Sequence, residues 1–142
     1  MASANFSFLT EHLANARINF ETDTFKAVLV SSIPDETALD TWDFLNDVTN
    51  EIVDADYTAG GFAVTASVGT VDAANNRIAV TYSAASPTYS TATISAVGCI
   101  IYKDTTVGTP SPLAHFVDFG ETVSSTNGDF TVTFTTPFYI NR

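Results

Sequence analysis

The sequence predicts a mostly β fold, an antiparallel two-sheet β-sandwich with one or two short helices, and three observations carry that prediction. First, Phe62–Val68, Arg77–Tyr82 and Phe130–Thr136 alternate apolar and polar residues, as strands with one buried and one wet face do. Second, Ile94–Tyr102 and Leu113–Phe119 are apolar runs of strand length on either side of the turn-rich segment Asp104–Pro112. In the first run both alternating sets are apolar, which predicts a central hairpin covered on both faces. Third, turn residues punctuate the chain at short intervals, with Asp72–Asn76 and Asn127-Gly128 as the clearest hairpin signals.

Taken in order, residues 3–18 predict an amphipathic helix inside an N-terminal arm (1–20). Ser3 or Asn5 is available as its cap, and Phe6, Leu9, Leu13 and Ala16 fall on one face. That face has two possible uses, packing on its own sheet or reaching a neighbouring molecule, so Phe6, Leu9 and Leu13 are the interface candidates. Phe25–Ser31 predicts a central strand, ended by Ile33-Pro34-Asp35 because proline cannot donate to a ladder. Leu39, Trp42, Leu45 and Val48 recur every three residues, which predicts a helix within 35–50 (core 36–48) with Asp35 or Asp40 as cap.

Tyr57–Gly61 predicts a sharp turn in which Gly60 and Gly61 supply positive φ or a close backbone approach. Gly120 and Gly128 are read as structural turns too. Ser83–Ser90, Ala, Ser and Thr around Pro87, predicts a loop. The three alternating strands follow these turns, with the predicted Phe130–Thr136 strand placing Phe130, Val132 and Phe134 inward.

At 142 residues the chain is read as one domain (1–142), able to bury about two thirds of its unfolded surface. Charged residues make up only 15%, so Thr, Ser, Ala and Asn must form much of the surface. The net charge is −11, and residues 1–56 hold 11 acids against 2 bases. A field of that sign repels phosphate backbones and anionic lipid, so neither nucleic acid nor membrane is an expected partner. No apolar run approaches the length of a membrane span. The N-terminus lacks the basic start and apolar core of a signal peptide, which predicts synthesis in a cytoplasm with the mature chain starting near Met1.

The search for chemistry predicts no catalytic, cofactor-binding or metal-binding residues. His12 and His115 lie on different elements, and His115 is expected beside Leu113 and Val117 as a packed side chain. Cys99 is the only cysteine, placed to be a small buried hydrophobe. The acids from Asp35 to Asp56 do not match the calcium-loop spacing, and a solvated acidic face is expected there. The Gly60-Gly61 turn leads into a strand where a phosphate loop would lead into a helix, so nucleotide binding is not expected. Tyr57, Tyr89 and Tyr139 are the aromatics a glycan site would use.

In sequence order the chain shows DTFKAVLV (Asp23–Val30), TNEIVDADYTAGGFAV (Thr49–Val64), AVGCIIYKDTT (Ala96–Thr106), PLAHFVDFGE (Pro112–Glu121) and GDFTVTF (Gly128–Phe134). This pattern resembles a family of small virion structural proteins of tailed bacteriophages, along nearly the whole chain. It departs from that family in the acidic insertion around Trp42 and in Asp56-Tyr57, where Gly-Tyr is usual. The resemblance implies a capsid decoration (cement) protein on the outer head surface, with the major capsid protein and its own copies, as a homotrimer, for partners. A tail or fibre component, or a glycan-binding adhesin, is the alternative it leaves open.

Overall fold

The structure, a computed structural model, describes residues 3–105 and 110–141. Its strands are β1 (Ala4–Asn5), β2 (Phe25–Val30), β3 (Phe62–Asp72), β4 (Arg77–Ala84), β5 (Tyr89–Lys103), β6 (Leu113–Phe130) and β7 (Phe138–Asn141). Two short helices, α1 (Leu9–Ala14) and α2 (Glu36–Thr41), complete it, with one 3-10 turn at Leu45–Asp47. The centre of the predicted Asp104–Pro112 connection, residues 106–109, lies outside the described residues.

The seven strands make one antiparallel sheet in the order β1-β6-β5-β2-β3-β4-β7. The sheet is nearly closed and barrel-like, which corrects the expected two-sheet sandwich. Strand length explains the difference. β5 has 15 residues and β6 has 18, and their pairing shifts register at four places. Bulges bend a strand and increase its twist, so one long hairpin wraps a core that two layers would otherwise enclose.

β2 sits between β5 and β3, and Ala27 through Val30 have no exposed surface. Its two alternating sets enter two separate cores. Phe25, Ala27 and Leu29 join Cys99, Ile101, Phe62 and Val64 in the larger core inside the curled sheet. Val28 and Val30 join Ile100, Tyr102, Leu113 and Phe116 in a smaller core, capped by Phe6 and Leu39 with Trp42, Leu45 and Val48 packed against it. The doubly apolar strands are therefore covered on both faces by their own chain.

The predicted helix over 35–50 is half right. Asp35 caps it, its side chain accepting from Ala38 N at 2.8 Å, and the every-third apolar residues do face one core. The helix stops at Thr41 because Asp47 Oδ2 takes the N–H groups of Asp43 and Phe44, at 2.9 and 3.0 Å. A short acidic side chain that captures backbone donors competes with the helical ladder.

Near the N-terminus, helix forms only over Leu9–Ala14. Neither Ser3 nor Asn5 caps it: Ala4 and Asn5 pair with Phe116 and His115 of β6, and Phe8 stands at the cap with no side-chain bond. Four other boundaries move. β4 runs to Ala84 and β5 begins at Tyr89, which shortens the predicted loop. β6 continues through Gly120 and through Asn127-Gly128, so neither is a chain-reversing turn. Gly120 (φ +78) and Asn127 (φ 48) provide left-handed kinks inside that strand, and Gly128 pairs with Ala92. The Asp72–Asn76 hairpin stands as predicted, joining β3 to β4.

Candidate functional site

The side chains with chemical potential are mostly turned inward. His115 is fully buried, stacked on Phe138 at a centroid distance of 4.1 Å, with Phe20 and Tyr82 also against it. Its Nδ1 lies 2.6 Å from the Tyr82 hydroxyl, and its Nε2 is buried without a partner. Burial with no compensating charge pushes the imidazole pKa down to about 3. The register shift between Ile101 and Tyr102 sends Leu113 to the smaller core, so the expected Leu113–His115 shared face does not form. Cys99 is fully buried and desolvation raises its thiol pKa, consistent with a packing role.

His12 is also fully buried, with Nε2 3.1 Å from Asp43 O and 2.9 Å from Asp43 Oδ1. Phe44 packs on the same ring at 5.4 Å. Desolvation raises the Asp43 pKa, and the nearby His12 partly opposes it. This pair ties α1 to the segment after α2. Asp43 O also accepts from Leu113 N at 3.0 Å, which fixes this pair to the start of β6.

The acidic stretch does more than hydrate a face. Glu51 Oε1 accepts from the Tyr57 hydroxyl at 2.7 Å and from Gly60 N at 2.8 Å. The same Tyr57 oxygen accepts from Leu29 N at 3.1 Å, and the Tyr102 hydroxyl donates to Gly60 O. Desolvation, then the Glu51 hydrogen bond, raises the Tyr57 pKa. Asp56 Oδ2 accepts from Thr93 N at 2.8 Å. Such carboxylates satisfy backbone donors far away in sequence, which residue spacing alone does not reveal. Among the described residues, no group of three or more His, Cys, Asp or Glu is placed to hold a metal ion.

The interface candidates are corrected in part. Phe6 and Leu9 are 1% and 2% exposed and belong to the chain's own cores, so they offer no free surface; Leu13 is partly buried against the larger core. Among the glycan candidates, Tyr57 is buried within the Glu51 network. Tyr89 is half-buried beside Tyr57 and Phe62, and burial raises its pKa to about 12. Tyr139 is half-buried, and the Arg77 guanidinium lies 3.6 Å above its ring. Gly60 and Gly61 have φ of +91° and +81°, as the turn requires.

One open feature was not legible in the sequence. Where the sheet fails to close, Val117, Phe119 and Val123 of β6 and Val132 and Phe134 beyond it line a cleft of about 260 Å³. Thr131, Thr133 and Thr135 lie along its wall, and Ser3 and Asp118 are at its rim.

These features define a class: a small, curled antiparallel β domain whose histidines and cysteine are packed in its interior, with a shallow cleft of about 260 Å³ between β6 and the segment that follows it. Compared with known proteins, the sequence matches no family model, and no curated protein or solved structure matches it.

Proposed function

We propose that this chain is a virion structural protein of a tailed bacteriophage, a capsid decoration protein that sits on the outer head surface and bridges coat subunits. The ordered pattern from DTFKAVLV to GDFTVTF, which resembles that family along nearly the whole chain, carries the reading. Several physical features support it. A net charge of −11 suits the outside of a DNA-filled shell better than the inside. His115, Cys99 and His12 are buried, as suits a protein that acts by shape. Repeated weak contacts across a lattice add through multivalency, and a trimer matches the local threefold positions a shell repeats.

The test is reconstruction of virions together with rebinding of purified chain to shells stripped of it. Density over the outer lattice and saturable co-sedimentation with shells are expected. Density confined to the tail rejects the reading in favour of a tail or fibre component. Glycan-array binding that is lost in Tyr139→Ala replaces it with an adhesin.

A further inference from the structure

We propose that Asn127-Gly128 is a self-modification site: the Gly128 amide nitrogen displaces ammonia from the Asn127 side chain, and water then leaves aspartate or isoaspartate within β6. The site is set by the geometry of the β5–β6 hairpin and is independent of the virion reading.

Residue chemistry selects this position first. The reaction needs a backbone nitrogen that can swing onto the preceding side-chain carbonyl carbon, and a Cβ on the following residue obstructs that approach. Asn127 is the only asparagine of the chain followed by glycine. Its side chain is exposed and makes no hydrogen bond among the described residues. Other asparagines are tied down: Asn5 Nδ2 donates to Tyr139 O at 3.2 Å, Asn50 Nδ2 to Ser32 O at 2.7 Å and Asn75 Nδ2 to Asp72 Oδ2 at 2.7 Å.

A regular ladder would hold Gly128 too firmly, but here the ladder is broken on both sides of it. Pairing jumps from Tyr89↔Phe130 to Ala92↔Gly128, and from there to Ile94↔Ser125, with a register shift at each jump. Gly128 is therefore held in one isolated pair, whose opening breaks no adjoining pair. Asn127 lies in the second irregularity with left-handed backbone, φ 48. Its N–H donates to Thr93 Oγ1 at 3.1 Å, a side chain in place of a ladder carbonyl. Chain neighbours apart, a Cβ at Gly128 would meet only Thr126 O, at 3.7 Å, so the peptide plane joining the two residues has room to turn.

In the reaction, Gly128 N gives up its proton and bonds to Asn127 Cγ; the Cγ–Nδ2 bond breaks, and ammonia carries the proton away. Water opens the resulting five-membered imide. Breaking the bond from Gly128 N to Cγ gives aspartate. Breaking the bond from Gly128 N to the main-chain carbonyl carbon gives isoaspartate, whose backbone runs through the side chain. One water is consumed, one ammonia is released and nothing is oxidised or reduced. Either product adds a negative charge to a chain already at −11. Isoaspartate also lengthens the main chain, at a bulge that already holds an extra residue.

The intact folded chain is incubated at mildly alkaline pH, where the attacking nitrogen loses its proton more readily, and the peptide spanning Asn127 is followed by mass spectrometry. That peptide is expected to gain the mass of amide-to-acid conversion and to separate into aspartate and isoaspartate forms, matched to synthetic standards. Conversion at Asn127 should outpace that at Asn75 and Asn76, the exposed pair of the β3–β4 turn, by at least about tenfold. Gly128 lies outside the left-handed region and an added Cβ clashes with nothing, so Gly128→Ala should keep the parent's thermal midpoint. The same variant should slow the conversion by about tenfold or more. A parallel sample in urea separates structure from sequence: the folded rate should lie within about tenfold of the unfolded rate. No conversion at Asn127 in the folded chain, a folded rate further below the urea rate, earlier conversion at Asn75 or Asn76, or an unslowed Gly128→Ala each overturns the proposal.

Discussion

The side-chain amide of Asn5 donates to the carbonyl of Tyr139 at 3.2 Å, joining the first strand to the last across 134 positions of sequence. Asn5 belongs to the two-residue β1 and Tyr139 to β7, at opposite ends of the strand order. The contact draws the two edges of the sheet together beside the His115–Phe138 stack.

Replacing Asn5 with alanine removes this bridge and leaves the backbone pairing of β1 intact. Because the bond is exposed, the loss is expected to be modest, about 0.5–1 kcal/mol by urea denaturation. Exchange at the β7 amides should rise more than exchange at β2. Equal rises in both strands would count against a local role in closure.

Gly61 and Gly120 both have positive φ but should respond differently to alanine. A Cβ at Gly61 would stand 1.7 Å from Ala27 O, a backbone atom of the central strand that cannot move aside. At Gly120 nothing lies within 4 Å, so only the left-handed backbone resists. Gly61→Ala is expected to cost at least about 3 kcal/mol and Gly120→Ala about 1. Comparable denaturation midpoints for the two variants would contradict this reading.

Tyr57→Phe deletes a hydroxyl that both accepts from Leu29 N and donates to Glu51. A buried backbone donor is left unpaired, and a loss of about 1–3 kcal/mol is expected. In Glu51→Gln the amide oxygen can still accept, so the loss should be smaller. A double-mutant cycle reads their coupling, and strict additivity would show that the network does not act as a unit.

His115 should make stability fall with acid. Burial holds its pKa at about 3 in the native state, against 6.5 for the ordinary group. Between those values the unfolded chain binds the extra proton, so its contribution is complete above about pH 6.5 and is lost progressively as pH drops toward 3. The slope approaches about 1.4 kcal/mol per pH unit within that window. His115→Phe keeps the stack with Phe138 and should flatten this part of the profile, even if loss of the Tyr82 partner lowers stability at neutral pH. Parallel pH profiles for parent and variant would refute the assignment.

Local signals were legible where a residue's own chemistry settles its conformation. The strand identity of Phe25–Val30, the β3–β4 hairpin, the Asp35 cap and the Gly60-Gly61 turn follow from alternation, proline, short acids and missing Cβ atoms. Other signals were overridden. Asn127-Gly128 has the chemistry of a hairpin turn, but pairing with β5 continues through it and turns it into a kink. Phe6 and Leu9 have the pattern of a docking face, yet the chain supplies its own cover for them. Glu51 reads as one more solvated acid because nothing in its spacing reports that Gly60 N and Tyr57 will converge on it.

By itself the sequence determined the β class, the acidic surface, the doubly covered central strands and the burial of Cys99. These depend on side-chain period and polarity, which are properties of neighbouring residues. Only the tertiary structure decided that one sheet curls on itself, that His115 meets Phe138, and that Thr133–Thr136 is left without a ladder. Each of those depends on register between distant strands, and register is set by accumulated bulges and long-range packing that no short window of residues contains.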